Sequence, residues 1–132
     1  MRILIFIFFV LAWHFINGQS IAEHYQKGFN KILEEDYSNA LKSMDLAIEL
    51  NPKFTEAYYY RGIAKGKLND HTGAIDDFTM VIRLDNRFFR AFYNRGVAKI
   101  RLGKTKPGCK DLKRAHNMGD PDARDFIDKH CD

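Results

Sequence analysis

The sequence lacks several features that would place it in common protein classes. No segment alternates apolar and polar residues over a sustained stretch, so a β-sheet is not expected. The N-terminal apolar run is interrupted by His14 and is shorter than the ~18 residues that a membrane-spanning helix needs. The formal charge is +4, with cations interspersed among acids rather than gathered in a block. A nucleic-acid partner is therefore not expected.

Patterns that carry catalytic or metal chemistry are also missing. The five histidines do not recur at i, i+4 spacing, and no tight ligand spacing is present, so neither a metal nor a cofactor is expected. The segment Gly103–Thr105 imitates the end of a phosphate-binding loop, but the earlier glycine of such a loop is absent. The acidic pairs Glu34-Glu35 and Asp76-Asp77 are expected to be solvated surface rather than a converging acid and base. The sequence offers no catalytic residue, and no small-molecule substrate is expected.

Residues 1–20 have the pattern of a secretory signal peptide. Met1-Arg2 gives a positive start, an apolar run follows, and Gly18-Gln19-Ser20 provides small residues at the exit. Cleavage after Gly18 or Ser20 predicts a secreted or periplasmic protein with no membrane insertion afterwards. An uncleaved leader would instead be an N-terminal membrane anchor. No cysteine lies near the exit, which disfavours a lipoprotein.

The rest of the chain repeats with a period of 34 residues, set by Gly28, Gly62 and Gly96. A tyrosine stands three residues before each of these glycines, a cation directly before it and a lysine three residues after it. Recurrence at so many offsets indicates three equivalent units of structure. Their approximate bounds are residues 21–54, 55–88 and 89–120, hereafter the first, second and third units.

Each unit is predicted to form two helices. Apolar residues from Ala74 to Ile82 follow the i, i+1, i+4, i+7, i+8 spacing of an amphipathic helix, and Asn69-Asp70 marks the turn before it. Leu50-Asn51-Pro52 is a stop signal for the equivalent helix of the first unit. Small residues allow two helix backbones to approach closely. The predicted packing positions are Gly28, Ala40, Gly62, Ala74, Gly96 and Gly108.

A short capping helix is predicted at about residues 121–131. Asp120 would be its N-cap and Pro121 would lie in its first turn. Its apolar residues would cover the end of the stack of units, which would otherwise be exposed.

Two cysteines remain, Cys109 in the third unit and Cys131 at the end of the capping helix. In an exported chain an even pair is expected to be bridged, which would tie the capping helix to the unit beneath it. Two unpaired thiols, or a metal site that includes His116 or His130, are the alternatives that the sequence leaves open.

These residues resemble the tetratricopeptide repeat family over about Ile21–Asp120. The second unit matches the family pattern best, at Tyr58, Gly62, Ala74 and Phe78. The lysine after each repeated glycine departs from the aromatic residue that is usual there. The resemblance implies an all-α solenoid of three stacked helix-turn-helix repeats with a C-terminal capping helix.

The resemblance also implies a function. In this family the first helices of the repeats line a concave groove that holds peptides, so we expect a non-catalytic module with a protein or peptide partner. The alternative interpretation of the tyrosines is that they belong to the packing of the repeats. The alternative is a structural or assembly component that packs through its convex face or its ends. The positions that would face the groove are Tyr25, Phe29, Tyr59, Ile63, Tyr93 and Val97, with Glu56 and Arg90 on its rim.

One specialised use of the groove is not expected. Some members of the family hold a C-terminal carboxylate with Lys, Asn and Arg side chains from three repeats. Of the residues at the matching positions, Arg90 alone has a suitable side chain; the matching residues are Tyr25, Phe29, Tyr60, Arg90 and Asn94.

Overall fold

The protein is described by a computed structural model that covers residues 2–131. Before residue 20 it describes the side chains of Ile5, Ile7, Phe8 and Phe9 alone. Seven helices and no strand occupy the described residues, which confirms the predicted all-α fold class. The helices are α1 (Arg2–Leu33), α2 (Tyr37–Leu50), α3 (Thr55–Lys67), α4 (His71–Leu84), α5 (Phe89–Arg101), α6 (Thr105–Asn117) and α7 (Ala123–His130).

Three helical hairpins stack in chain order. Within the hairpins α1 packs on α2, α3 on α4 and α5 on α6, and the hairpins join through contacts of α2 with α3 and of α4 with α5. The large apolar residue sixteen positions after each glycine fills the hairpin: Met44, Phe78 and Leu112 are all 3% exposed or less. No hairpin buries its apolar surface alone, so the stack is the stable entity.

The repeated glycines lie where the two helices of a hairpin come closest. A Cβ atom added to Gly62 would lie 2.8 Å from Cε1 of Phe78, and one added to Gly28 would lie 2.9 Å from Cε of Met44. At Gly96 the backbone oxygen of Gly108 would lie 2.9 Å away. At Gly96 a side chain would meet the backbone of the facing helix and push the helices apart, whereas at Gly28 and Gly62 it would displace the side chains of Met44 and Phe78. Close packing of this kind offsets the roughly 0.5–1 kcal/mol that glycine costs inside a helix.

Helix α1 continues without a break through Gly18-Gln19-Ser20, where the signal-peptide pattern places the exit. The predicted boundary at residue 20 is therefore not marked by a change in secondary structure, and the signal peptide stays a prediction. Within residues 2–131, no helix combines the length and the apolar character that crossing a membrane requires.

The capping helix begins later than predicted. Helix α7 starts at Ala123, and Pro121 lies before it rather than in its first turn. The Asp120 carboxylate accepts hydrogen bonds from the backbone N–H groups of Asp122 (2.9 Å) and Ala123 (3.0 Å). Asp120 thus makes the side-chain hydrogen bonds typical of an N-cap, as predicted, although the residue directly before α7 is Asp122, whose side chain forms no cap hydrogen bond.

Cys109 and Cys131 form a disulfide with their Cα atoms 5.8 Å apart. The bond joins α6 to the residue that follows α7. This is the pairing that the even cysteine count predicts, and it ties the capping helix to the third unit.

The interpretation of Asp77 as solvated surface is wrong. Its side chain is buried between the two helices of the second unit, where it accepts two hydrogen bonds from Arg61 (2.9 and 2.7 Å) and lies 2.9 Å from Nζ of Lys65. Burying a carboxylate is costly unless it is paired in this way. Glu34 and Glu35 are exposed, as expected.

Asp111 repeats this arrangement in the third unit. It is 6% exposed and accepts two hydrogen bonds from Arg95, both 2.8 Å, and one from Lys99 at 2.7 Å. Each arginine also reaches the preceding unit. Arg61 donates to Asp45 at 2.7 Å, and Arg95 donates to Thr79 at 3.2 Å.

Although cations and acids are interspersed along the chain, the three units differ in their net charge. Residues 89–120 carry nine Lys or Arg and two Asp, whereas residues 21–54 carry four Lys and six Asp or Glu, and residues 55–88 carry five of each sign. Both acids of the third unit, Asp111 and Asp120, are buried. The exposed charge of the third unit is therefore entirely positive.

Candidate functional site

The three repeated tyrosines lie at the seams between successive elements of the stack. The Tyr25 ring is 4.9 Å from the Phe54 ring and 6.0 Å from the Tyr60 ring, which belongs to the second unit. Tyr59 repeats this one unit later. Its ring is 4.9 Å from that of Phe88, and its hydroxyl accepts a 3.2 Å hydrogen bond from the side-chain amide of Asn94. Tyr93 meets α7 instead, with its ring 6.0 Å from the Phe126 ring.

The tyrosines differ in how much solvent they meet. Tyr59 is 9% exposed, so its ring is part of the packing between units, while Tyr25 and Tyr93 are half-buried. Burial, with Tyr60 close by, raises the pKa of Tyr25 to about 12. Burial also raises the pKa of Tyr59, and it does the same for Tyr93 together with the nearby Asp122. Replacing all three tyrosines would therefore disturb the stack as well as any binding surface.

A cleft between α3 and α5 brings together two of the groove residues predicted from the sequence. Ile63 and Val97 line a concave space of about 310 Å³ whose walls include Ala74 and Phe78 of α4. Asn94 adds a polar group beside them. The cleft joins the second and third units, and its lining is partly apolar and partly polar. The remaining lining residues are Gly62, Gly66, Lys67, Asn69, His71, Ala98 and Arg101.

The other predicted groove residues lie outside this cleft. Phe29 packs edge-on against Tyr60, with ring centroids 5.0 Å apart. Glu56 and Arg90 are exposed in the first turns of α3 and α5, and the Arg90 guanidinium lies 5.9 Å from the Phe89 ring centroid. Both predicted rim charges are therefore exposed to solvent, and neither of them lines the cleft.

Sequence reasoning missed the cations of the cleft. Lys67 and Arg101 stand five residues after the repeated glycines, and Leu33 is their equivalent in the first unit. Each lies four residues after a predicted groove residue, so it occupies the same helix face one turn further on. That i, i+4 relation to Ile63 and Val97 was the signal that would have found them.

Solved structures with the same arrangement of helices have been found by structural comparison. The second TPR domain of human RPAP3, in complex with the HSP70 peptide SGPTIEEVD, superposes with a TM-score of 0.82 at 22% identity, covering 88% of this chain and 98% of that one. The chain has the tetratricopeptide repeat fold.

Other tetratricopeptide domains agree. The Arabidopsis OM64 TPR domain gives a TM-score of 0.80 at 23% identity over 86% of this chain and 98% of that chain. The TPR2B domain of yeast Sti1, in a complex with pHsp70, gives 0.77 at 25% identity over 84% and 92%. No protein-family model and no curated protein matches the sequence. The predicted resemblance to the tetratricopeptide family is therefore confirmed in the fold.

Within the tetratricopeptide fold, the positions of the carboxylate-binding residues hold a different kind of surface. Tyr25, Phe29 and Tyr60 form one aromatic cluster, with ring centroids between 5.0 and 6.3 Å apart. Asn94 is engaged with Tyr59 and with the backbone oxygen of Arg90 at 3.0 Å. The absence of a carboxylate clamp remains a prediction. The aromatic cluster and the engaged Asn94 at these positions support it.

Proposed function

We propose that the protein is a non-catalytic interaction module that holds a peptide segment of a partner protein in the cleft between α3 and α5. The observation that carries this proposal is the cleft itself, in which Ile63, Val97 and Phe78 present apolar surface among polar side chains. A concave apolar surface with a few placed polar groups is the usual form of a binding site. The second TPR domain of human RPAP3, similar in fold, is in complex with an HSP70 peptide, which supports the same use here.

We further propose that the module acts outside the cytoplasm, as a secreted or periplasmic protein. The leader pattern of residues 1–20 motivates this location. The bond between Cys109 and Cys131 supports it, because disulfides persist in oxidising compartments.

Peptide selection followed by alanine substitution tests the cleft. Peptides would be selected from a displayed library on the purified protein, and their affinity measured for the double variant Ile63→Ala and Val97→Ala. We expect affinity to fall about tenfold or more, because truncating central contacts of an interface commonly costs more than 1 kcal/mol each. Circular dichroism would verify that the double variant keeps its helices.

The matched control is Leu46→Ala with Leu50→Ala, since these side chains are 43% exposed on α2, outside the cleft. Unchanged binding by the control supports the proposal. Selected peptides that bind the cleft variant as well as the wild type would refute the cleft, and failure to select any peptide would refute the module.

The alternative, a structural or assembly component, is favoured by one observation. Leu46 and Leu50 lie one helical turn apart on α2 and remain exposed, whereas the equivalent Met80 and Leu84 of the second unit are partly buried. Loss of partner binding in the Leu46 and Leu50 variant, with binding intact in the cleft variant, would support this alternative.

A further inference from the structure

Three exposed lysines lie on one face of α6, apart from the cleft. Lys106, Lys110 and Lys113 follow i, i+4, i+7 spacing and therefore share one helix face about 10 Å long. All three side chains are exposed. Within residues 2–131 none of the three forms an ion pair with a carboxylate. These three lysines are called the lysine face below.

The lysine face is a departure from the protein's own repeat. The second unit has Thr72, Asp76 and Thr79 at the same positions, and the first unit has Ser38, Lys42 and Asp45. Each of those sets contains one acid, and Lys42 is the one cation in the two sets together. A solvated helix face with no special role would be expected to keep mixed charge as the other two units do.

The start of α6 shows the same change. Asp36 and Asp70 cap α2 and α4 by accepting hydrogen bonds from the backbone N–H groups of Asn39 and Gly73. At the equivalent position before α6 stands Lys104, whose side chain caps nothing. A cation at the positive end of a helix is unfavourable, so the third unit gives up local stability for positive charge at this place. An anionic group from outside would relieve that repulsion.

A hollow lies against the lysine face. It has a volume of about 510 Å³ and is lined by Thr105, Lys106, Cys109, Lys110 and Lys113. It shares no lining residue with the cleft between α3 and α5. All of its lining residues belong to α6, so the space is open along the length of that helix.

We propose that the lysine face docks an acidic polypeptide segment of a partner, in addition to the peptide held in the cleft. Its carboxylates pair with Lys106, Lys110 and Lys113, and the hollow receives the side chains between them. Charge complementarity selects the anion. A polypeptide fits better than a lipid surface, because none of the exposed large hydrophobic side chains lies on α6, and membrane-surface helices bury such side chains.

Fluorescence anisotropy with a labelled octaglutamate peptide tests the proposal. We expect the wild-type protein to bind octaglutamate and not octaglutamine, with affinity that falls as salt rises. The triple variant Lys106→Gln, Lys110→Gln and Lys113→Gln should bind at least tenfold more weakly. Glutamine is a good helix former, so α6 is retained, and thermal unfolding by circular dichroism would verify this.

Two control variants separate a specific surface from general positive charge. The first, Lys27→Gln, Lys42→Gln and Lys53→Gln, removes the same charge from the first unit, and the second, Lys67→Gln with Arg101→Gln, removes the cations of the cleft. Both should bind octaglutamate within about twofold of the wild type. Equal loss in either control, or no binding by the wild type, would overturn the proposal.

Vesicles of 30% phosphatidylglycerol in phosphatidylcholine provide the last arm. The triple lysine variant should lose less affinity for these vesicles than for octaglutamate. Lysine-dependent vesicle binding without octaglutamate binding would show that the surface recognises a membrane instead, and the polypeptide proposal would be wrong.

Discussion

Single residues explain where this chain departs from the usual tetratricopeptide pattern. The lysine three residues after each glycine replaces the usual aromatic residue, and in two units it pairs with a buried carboxylate, Lys65 with Asp77 and Lys99 with Asp111. In the first unit Ser43 stands at the carboxylate position, and Lys31 pairs with Glu34 at the surface instead. Burial alone would lower the pKa of Arg61, but hydrogen bonds to Asp77 and Asp45 raise it above its ordinary value. Each lysine at this position therefore forms an ion pair with a nearby carboxylate.

Removing the Asp77 carboxylate should destabilise the protein strongly. In Asp77→Asn, the two cations Arg61 and Lys65 lose the anion that compensates them, which commonly costs about 3 kcal/mol for a buried pair. The neighbouring Asp76 is exposed, so Asp76→Asn should change the free energy of unfolding by less than about 0.5 kcal/mol. Urea unfolding of both variants measures the difference. Similar stabilities would show that the buried ion cluster contributes little.

Among the elements, α7 has the least support of its own. It is eight residues long, and isolated helices of that length are marginal in water. Ala123 is fully buried, and Phe126 rests on Tyr93. Helix α7 also packs against α6 and is joined to it by the disulfide, so the order of this helix depends on the third unit.

Opening the disulfide should loosen α7 and lower overall stability. Cys109 and Cys131 are separated by 22 residues, and closing a loop of that length contributes about 3 kcal/mol by chain entropy. We expect Cys131→Ser to lower the free energy of unfolding by about that amount, measured by urea unfolding. A reducing agent should destabilise the wild type and leave the variant unchanged. Two alkylatable thiols in the oxidised wild-type protein would contradict the pairing.

Across the whole molecule, the stack is continuous through its tyrosine seams. Tyr25 joins the first unit to the second, Tyr59 the second to the third, and Tyr93 the third to α7. Burial raises the pKa of each phenol, so every seam favours the protonated tyrosine.

The stability of the stack should therefore fall in alkali. An unfolded tyrosine releases its proton near pH 10, whereas folded Tyr25 keeps it until about pH 12. Between these values the unfolded chain binds fewer protons, so the free energy of unfolding decreases as pH rises. Urea unfolding at pH 8, 10 and 11 should show a smaller decrease for Tyr25→Phe than for the wild type. An identical decrease would show that Tyr25 is not the titrating group.

The sequence predicts the fold far better than the site, and particular residues show why. Gly28, Gly62 and Gly96 make contacts within one hairpin, and a 34-residue period reveals them directly. Whether Tyr59 is a packing or a groove residue depends on Phe88 and Asn94, which reach it only once the units stack. The burial of Asp77 depends on where Arg61 and Lys65, on the facing helix of the same hairpin, meet it. Contacts between elements set these outcomes, and spacing along the chain does not reveal them.

The arginines that join successive units give the solenoid a direction. Arg61 and Arg95 each reach back to an oxygen on the preceding hairpin, at Asp45 and Thr79, and the third unit has Lys113 at that position. The units are consequently not interchangeable. A further arginine-bearing hairpin added after the third would bring two cations together, whereas one added after the second finds an acceptor ready. An added hairpin of this kind would therefore be compatible with the second unit and repelled by Lys113 of the third.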